Sequence, residues 1–432
     1  MIMLRILAIF FSLLVGVTCF AQEELIPILD NERSFAFRLQ TLRALKSGDT
    51  VRISAFEVDP NAETYAFLME LKLASKRGVK VKLNIDAFGS RLIKPHILDY
   101  VQRSGVEITL FNVFTPYRFL HYFRHRMHDK VFSIESKVHG KFAIIGDRNI
   151  GWHYFGSEGS ERFMSFETVA FGKIVKRINR YFDEKLADKR NEPRNINRVI
   201  PKESPEIELD RLAKGATSYE RLTANSEVFD EIKLQRKNKV AIDSKEIEFL
   251  SDRINEDYSR KHARRYFEIL GKAQSSVTFI TPFLVLTPEM KELFLELNRR
   301  GVKLRVITSN GPTNSVKTAH DGYLVYSLSW LQRHNIEIRE TNVPLHAKIT
   351  LMDAGTPNAR TVFGSFNLDY RSQYLNSETA LYIRNAKFTD QVEKMLVPFE
   401  QTTTPAPKLK VWQRSPCTSI SRLFAWTIGP YL

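Results

Sequence analysis

The spacing of apolar residues along the chain changes period and then repeats itself. Val51–Phe56 and Val277–Phe283 each read as a strand. A helical stretch follows each, closing at Arg77-Gly78 in the first copy and Arg300-Gly301 in the second. Glycine just past a helix supplies the conformation that ends it. Each then passes into a strand of alternating apolar and basic residues, Val79-Lys80-Val81-Lys82-Leu83 and Val302-Lys303-Leu304-Arg305-Val306. In the second copy, Thr287 is a predicted N-cap and Pro288 the first helical residue. Strand–helix–strand order predicts parallel βαβ units, and its recurrence predicts a duplicated α/β architecture.

Between the copies, roughly residues 185–258, the chain becomes charged and loses clear strand periodicity. Asn191-Glu192-Pro193-Arg194 and Pro201-Lys202-Glu203-Ser204-Pro205 read as linker. After Thr402 a tail begins and ends in Phe424-Ala425-Trp426-Thr427-Ile428, an apolar end suited to docking on the protein or touching a membrane. At the other terminus, Arg5 precedes the apolar run Ile6–Phe20, with Cys19 and Ala21 at the small-residue positions of a cleavage site. That pattern predicts a secretory signal cleaved after Ala21. The run is short for a transmembrane span, which needs roughly 20 residues, and Gly16-Val17-Thr18 is a poor lipobox before Cys19. The expected organisation is a signal peptide at 1–21, a first repeat at 22–185, a charged linker or insert at 186–257, a second repeat at 258–400 and a tail at 401–432.

Composition narrows the partners. The 432 residues carry 64 Lys+Arg against 49 Asp+Glu, a net charge of +15. Such a balance favours anionic partners: nucleic acid, an anionic membrane surface or phosphate-bearing substrates. With 43% hydrophobic and 26% charged residues, the bulk is globular. Cleavage after Ala21 leaves Cys417 as the only cysteine, so no intrachain disulfide forms in the mature chain.

A second repeat carries the chemistry. His128-Asp129-Lys130 is followed by Glu135, Gly146 and Asn149; His346-Ala347-Lys348 is followed by Asp353, Gly364 and Asn367. Counted from each His, the offsets are 2, 7, 18 and 21 in both halves. Both stretches predict β-hairpins, Val131–Glu135 against Phe142–Gly146 and Ile349–Asp353 against Thr361–Gly364. Residues two apart on a strand share a face, so each His and Lys project together, with the Asn at a neighbouring hairpin end. Two such faces meeting across a pseudo-twofold axis bring two imidazoles, two ammoniums and two amides around one pocket. That array suits a phosphoryl transition state. One imidazole attacks phosphorus while the other protonates the departing oxygen. The Lys pair supplies the charge neutralisation a metal would otherwise bring, so neither metal nor cofactor is expected.

These residues resemble the paired HKD motifs of the phospholipase D superfamily. Arg126-Met127-His128-Asp129-Lys130 with Gly146-Asp147-Arg148-Asn149-Ile150-Gly151 is similar to the first motif of bacterial cardiolipin synthase-type proteins. Leu345-His346-Ala347-Lys348 with Gly364-Ser365-Phe366-Asn367-Leu368-Asp369 and Asn376-Ser377-Glu378 is similar to the second. The resemblance covers roughly residues 30–185 and 258–400. It implies two pseudo-twofold-related α/β/α sandwich domains with mixed, largely parallel sheets and helices on both faces, and one site per chain, for which a monomer suffices. It also implies a phosphohistidine intermediate and transfer of a phosphatidyl group to water or an alcohol, with His128 as nucleophile and His346 as general acid. The acid beside each catalytic His resembles a carboxylate downstream of the Asn. Glu167 and Glu378 match those places, 18 and 11 residues after Asn149 and Asn367. Glu135, where the family has Asp, and Asp353 are then structural acids.

Other features bear on the substrate. The first hairpin turn holds a rival motif, His139-Gly140-Lys141, with Asp147 eight residues beyond the His and no counterpart in the second half. Tyr117–Arg126 mixes aromatic and basic residues, which suits a lipid headgroup interface or a partly buried loop. Asp86 and Pro282-Phe283 follow central strands, where α/β sites often lie. The leading expectation is an exported, membrane-associated enzyme of a Gram-negative envelope, acting on glycerophospholipids. An exported nuclease and a non-catalytic lipid-binding relative are the alternatives.

Overall fold

The computed structural model describes residues 22–116, 122, 124–156, 162–188, 190–193, 204–215, 239–252 and 261–408. The expected signal peptide, most of the aromatic-basic segment Tyr117–Arg126 and the apolar end Phe424–Ile428 lie outside them.

Two mixed sheets form the frame. The first half supplies β1 (Gln22–Ile28), β2 (Thr50–Ala55), β3 (Lys80–Asp86), β4 (Glu107–Phe111), a short β5 (Arg126–Met127), β6 (Val131–Ser136), β7 (Gly140–Gly146) and β8 (Glu167–Phe171). The segment between the halves adds β9 (Asn191–Pro193), β10 (Val240–Asp243) and β11 (Ile247–Ser251). The second half supplies β12 (Ser276–Ile280), β13 (Lys303–Ser309), β14 (Glu337–Thr341), β15 (Ile349–Met352), β16 (Arg360–Gly364), a short β17 (Asn376–Ser377), β18 (Thr379–Ile383) and β19 (Thr403–Pro405). One sheet runs β10-β1-β8-β7-β6-β2-β3-β4-β9 and the other β11-β18-β16-β15-β12-β13-β14-β19. The core order of one repeats in the other.

The βαβ repeats account for the parallel part of each sheet, β2-β3-β4 and β12-β13-β14. The flanks are antiparallel, because the motif hairpins β6–β7 and β15–β16 dock back onto the first parallel strand. Thr287 caps the helix Pro288–Arg299 by accepting from Met290 N, as predicted.

The segment 186–257 is not simply a linker. β10 extends the first sheet on β1, β11 extends the second on β18, β9 closes the edge at β4, and the helix Pro205–Lys214 covers Ala62–Lys76. These strands have only three to five residues each, too few to show a periodic pattern. The proposed tail likewise begins with an edge strand, β19 on β14.

Each half has its own apolar cluster. A third joins them, with Val131, Ile145 and Phe166 from one half against Leu345, Ile349 and Phe363 from the other. Phe166 and Phe363 meet edge to face at 4.9 Å between centroids. This shared core fixes the faces carrying the motifs against each other. Among the described residues, no helix is long and apolar enough to cross a membrane.

Candidate active site

Each motif histidine is held by the opposite half. β5 and β17 pair in parallel, and His128 N donates to Ser377 O at 2.9 Å. On the other side of the pseudo-twofold axis, Leu345 bridges Met164, and His346 N donates to Met164 O at 2.9 Å. Lys130 Nζ donates to His128 O at 2.7 Å and Lys348 Nζ to His346 O at 2.6 Å. Each ammonium thus folds back onto its own histidine, and Lys348 Nζ also lies 3.2 Å from the His346 ring at Nδ1.

The motif glycines have a steric cause. A Cβ on Gly146 would lie 2.4 Å from Phe166 O, and one on Gly364 2.2 Å from Thr379 O. Only glycine lets the hairpin end come that close to the next strand.

The acid partners come from the opposite half too. Glu378 faces His128 Nδ1 with both oxygens, at 2.8 and 3.0 Å. Three side chains hold it: Ser372 Oγ at 2.9 Å, Asn376 Nδ2 at 3.2 Å, and Ser365 Oγ. Glu167, the other carboxylate expected beside a catalytic histidine, does not reach an imidazole. It is buried against Arg38, with 2.7 and 2.8 Å bonds, Ser34 Oγ at 2.6 Å, and Arg148 at 3.5 Å. Glu167 lies on β8 in register with Gly146, so its side chain points to the helix-covered side with Arg38 and Arg148. The carboxylate at His346 is Asp147, whose Oδ1 lies 3.2 Å from Nδ1.

Asn149 Oδ1 accepts from Glu57 N at 3.2 Å and its amide donates to the Tyr154 hydroxyl at 2.9 Å. Asn367 N donates to Ser372 Oγ at 3.0 Å, and its buried Oδ1 has no hydrogen-bond partner among the described residues. Tyr154 packs edge-on to His346 at 4.9 Å and Phe56 edge-on to His128 at 5.2 Å. His128, His346 and Asn149 line one cavity of about 610 Å³, together with Phe56, Glu57, Asp59, Trp152, Phe163 and Phe283.

The remaining singled-out residues lie apart from this chemistry. Glu135 pairs with Lys141 at 2.7 Å and Arg52 at 3.1 Å, at the far end of the hairpin. Asp353 accepts from Gln274 N at 2.8 Å and Ser275 N at 2.7 Å. The rival pair is at that far end too: His139 approaches Ala44 O at 3.3 Å, and Lys141 faces Glu135 across the strands. Five residue steps along the strand, roughly 17 Å, separate Lys141 from the motif glycine Gly146. Asp86 is buried and accepts from Met127 N at 3.0 Å, which braces the strand leading into His128.

Burial dominates the electrostatics. Both imidazoles are pushed well below the usual histidine range, first by desolvation and then by Lys130 and Lys348. Lys130 is pulled down to about 7 and Lys348 to about 8 by the same burial, opposed by Glu378 and Asp147. Burial pushes Glu378 up to about 7, against the pull of Lys130. It also raises Asp147, against Lys348 and Arg148. At the cavity wall, burial and then the neighbouring Glu57 push Asp59 up to about 6. Desolvation thus disfavours the charged forms of lysines, imidazoles and carboxylates alike.

Known proteins share the sequence family and the fold of this chain. Residues 41–186 and 266–398, more than half of the chain, match the family model described as cardiolipin synthase, phospholipase D-like domain. Cardiolipin synthase C of Escherichia coli K12 is 26% identical over 378 residues, which cover 80% of this chain and 78% of the relative. An uncharacterized protein of Helicobacter pylori J99 is 26% identical over 372 residues, covering 76% and 70%. The fold matches the crystal structure of phosphatidylserine synthase from Haemophilus influenzae Rd KW20 with a TM-score of 0.67 at 13% identity, over 94% of this chain and 92% of that one. With the family matched across both repeats and both motifs meeting in one cavity, the chain belongs to the cardiolipin synthase, phospholipase D-like family and is a phospholipase D-type phosphatidyltransferase.

Proposed function

We propose that the protein transfers the phosphatidyl group of a glycerophospholipid to an alcohol or to water through a phosphohistidine intermediate. The observation that carries this reading is the cavity holding both imidazoles, each with a lysine beside it and a carboxylate on its far nitrogen. Its volume is within the range of small-molecule sites, and the named relatives include a cardiolipin synthase and a phosphatidylserine synthase.

The neutral His128 ring, with Nδ1 held by Glu378, presents Nε2 to phosphorus. Attack forms the N–P bond as the ester oxygen of the headgroup leaves. His346, protonated once the phosphodiester anion offsets the two ammoniums, gives that oxygen its proton. His346 then accepts the proton of the incoming alcohol or water as its oxygen attacks phosphorus, and the N–P bond to His128 breaks. Lys130 and Lys348 balance charge on the non-bridging oxygens throughout. The N-terminal Arg5 and the run Ile6–Phe20 support action at the cell envelope, after export.

The test is incubation of mature protein with vesicles of phosphatidylglycerol or phosphatidylethanolamine, and separately with DNA, in EDTA, with products identified by mass spectrometry. Released headgroup or a transphosphatidylation product is expected. Degraded DNA with intact lipid would contradict the reading.

A further inference from the structure

The hydrogen bonds around the two histidines define a residue-by-residue correspondence between the halves. Asp147 N donates to Phe166 O at 3.2 Å, and Asp147 Oδ2 accepts from Phe166 N at 2.7 Å. In the other half, Ser365 N donates to Thr379 O at 2.9 Å, and Ser365 Oγ accepts from Thr379 N at 2.9 Å. Two residues earlier in sequence, Met164 O and Ser377 O accept from the two motif histidine amides, both at 2.9 Å. Asp147 therefore corresponds to Ser365, and each lies 19 residues after its His. Ser165, between Met164 and Phe166, corresponds to Glu378.

We propose that the carboxylate and the hydroxyl stand at exchanged positions in the two halves, and that Asp147 is the positioning residue of His346. The second half has its hydroxyl at the hairpin end, Ser365, and its carboxylate just before β18, Glu378. The first has its carboxylate at the hairpin end, Asp147, and its hydroxyl just before β8, Ser165. Either arrangement puts one carboxylate against the imidazole of the opposite half. Glu167 corresponds to Ala380, one strand residue further on, and faces away.

The exchange makes the two histidines unequal. Glu378 offers both oxygens to His128, and three side chains hold it. Asp147 offers His346 one oxygen, the other being tied to Phe166 N. Lys348 Nζ lies 3.2 Å from the same Nδ1 and competes for it. A firmly held ring suits His128, which keeps its orientation while bonded to phosphorus. A lightly held ring suits His346, which gives and takes a proton each turnover. The inference rests on the phosphatidyl-transfer reading for its roles, but not for its geometry.

The test moves the carboxylate. Asp147→Ser leaves both positions as hydroxyls; Asp147→Ser with Ser165→Asp places an acid where Glu378 stands in the other half. Asp is chosen over Glu because Tyr154 takes the place of the small Ser372, both 26 residues after their His. Asp147→Asn, which keeps an acceptor for Phe166 N, guards against misfolding. Turnover of phosphatidylglycerol vesicles is measured across pH, and the His346 ring is followed by nitrogen NMR in ¹⁵N-histidine protein, assigned by its loss in His346→Gln. The single variants should lose about 10²-fold in kcat with little change in KM, with an altered pH profile and His346 tautomer. The paired variant should restore the tautomer and recover to within about tenfold of wild type. Single variants with wild-type turnover and an unchanged His346 signal would overturn the positioning role. A folded paired variant as slow as Asp147→Ser would overturn the exchange. Wild-type protein inert on vesicles would defeat the phospholipid reading, while the NMR signals would still decide the role of Asp147.

Discussion

Replacing Glu378 by Gln separates charge from shape at the nucleophile. The residue is fully buried, and its oxygens are 2.8 and 3.0 Å from His128 Nδ1. Gln has nearly the same volume and keeps one acceptor for the ring, so His128 stays in place. What disappears is the negative charge facing a ring that becomes positive when Nε2 bonds to phosphorus. A unit charge pair about 4–5 Å apart at an effective dielectric of about 20 interacts by about 3–4 kcal/mol. That corresponds to a fall in kcat of about 10²–10³-fold. Glu378 also raises the Lys130 midpoint, so its removal drops Lys130 further below about 7. The assay is therefore headgroup release measured on both sides of about 7: kcat above it, where Glu378 carries its charge, and KM below it, where Lys130 remains protonated and KM should change only a few-fold. Thermal melts confirm that the variant is folded. A folded Glu378→Gln protein with near wild-type kcat would refute the claim that this carboxylate stabilises the charged ring.

Two further outcomes follow from the same geometry. Glu167→Gln leaves the buried guanidiniums of Arg38 and Arg148 without their carboxylate, which should cost about 3–5 kcal/mol in stability and lower the melting temperature. Turnover per folded molecule should stay near wild type, as kinetics on soluble protein at low temperature will show. For pH, Lys130 and Lys348 in the free site lose their protons near about 7 and about 8, whereas a phosphodiester stays a monoanion throughout. Its KM should therefore be lowest below pH 7 and rise as pH climbs through both midpoints, and a flat KM up to pH 9 would contradict ammonium–phosphate contact.

The catalytic pairs were legible because their spacing is local: a hairpin converts offsets of 2 and 18 into a shared face and a close strand approach, whatever the rest of the chain does. Glu378 was legible for the same reason, lying just beyond a motif that fits the resemblance. Asp147 was not. The family resemblance pointed to Glu167, and strand register places that side chain on the opposite face, beside Arg38. The signal lay in comparing the halves two positions at a time, Asp147 with Ser165 against Ser365 with Glu378. The segment 186–257 hid its strands for a different reason. β9, β10 and β11 are short edge additions stabilised by pairing with β4, β1 and β18, and such tertiary pairing leaves little trace in local pattern.

The central claim is that both halves build one site, and single-histidine variants test it most directly. His128→Ala and His346→Ala should each abolish phosphatidyl turnover, with the double variant scarcely slower than the slower single, because residues acting as a unit are not additive. With a phosphodiester bearing a good leaving group, which needs little protonation, His346→Ala should accumulate phosphate on His128 and His128→Ala should accumulate none. Trapping on His346 would reverse the two roles. A single variant retaining about half of wild-type turnover would mean two independent sites and would contradict the account.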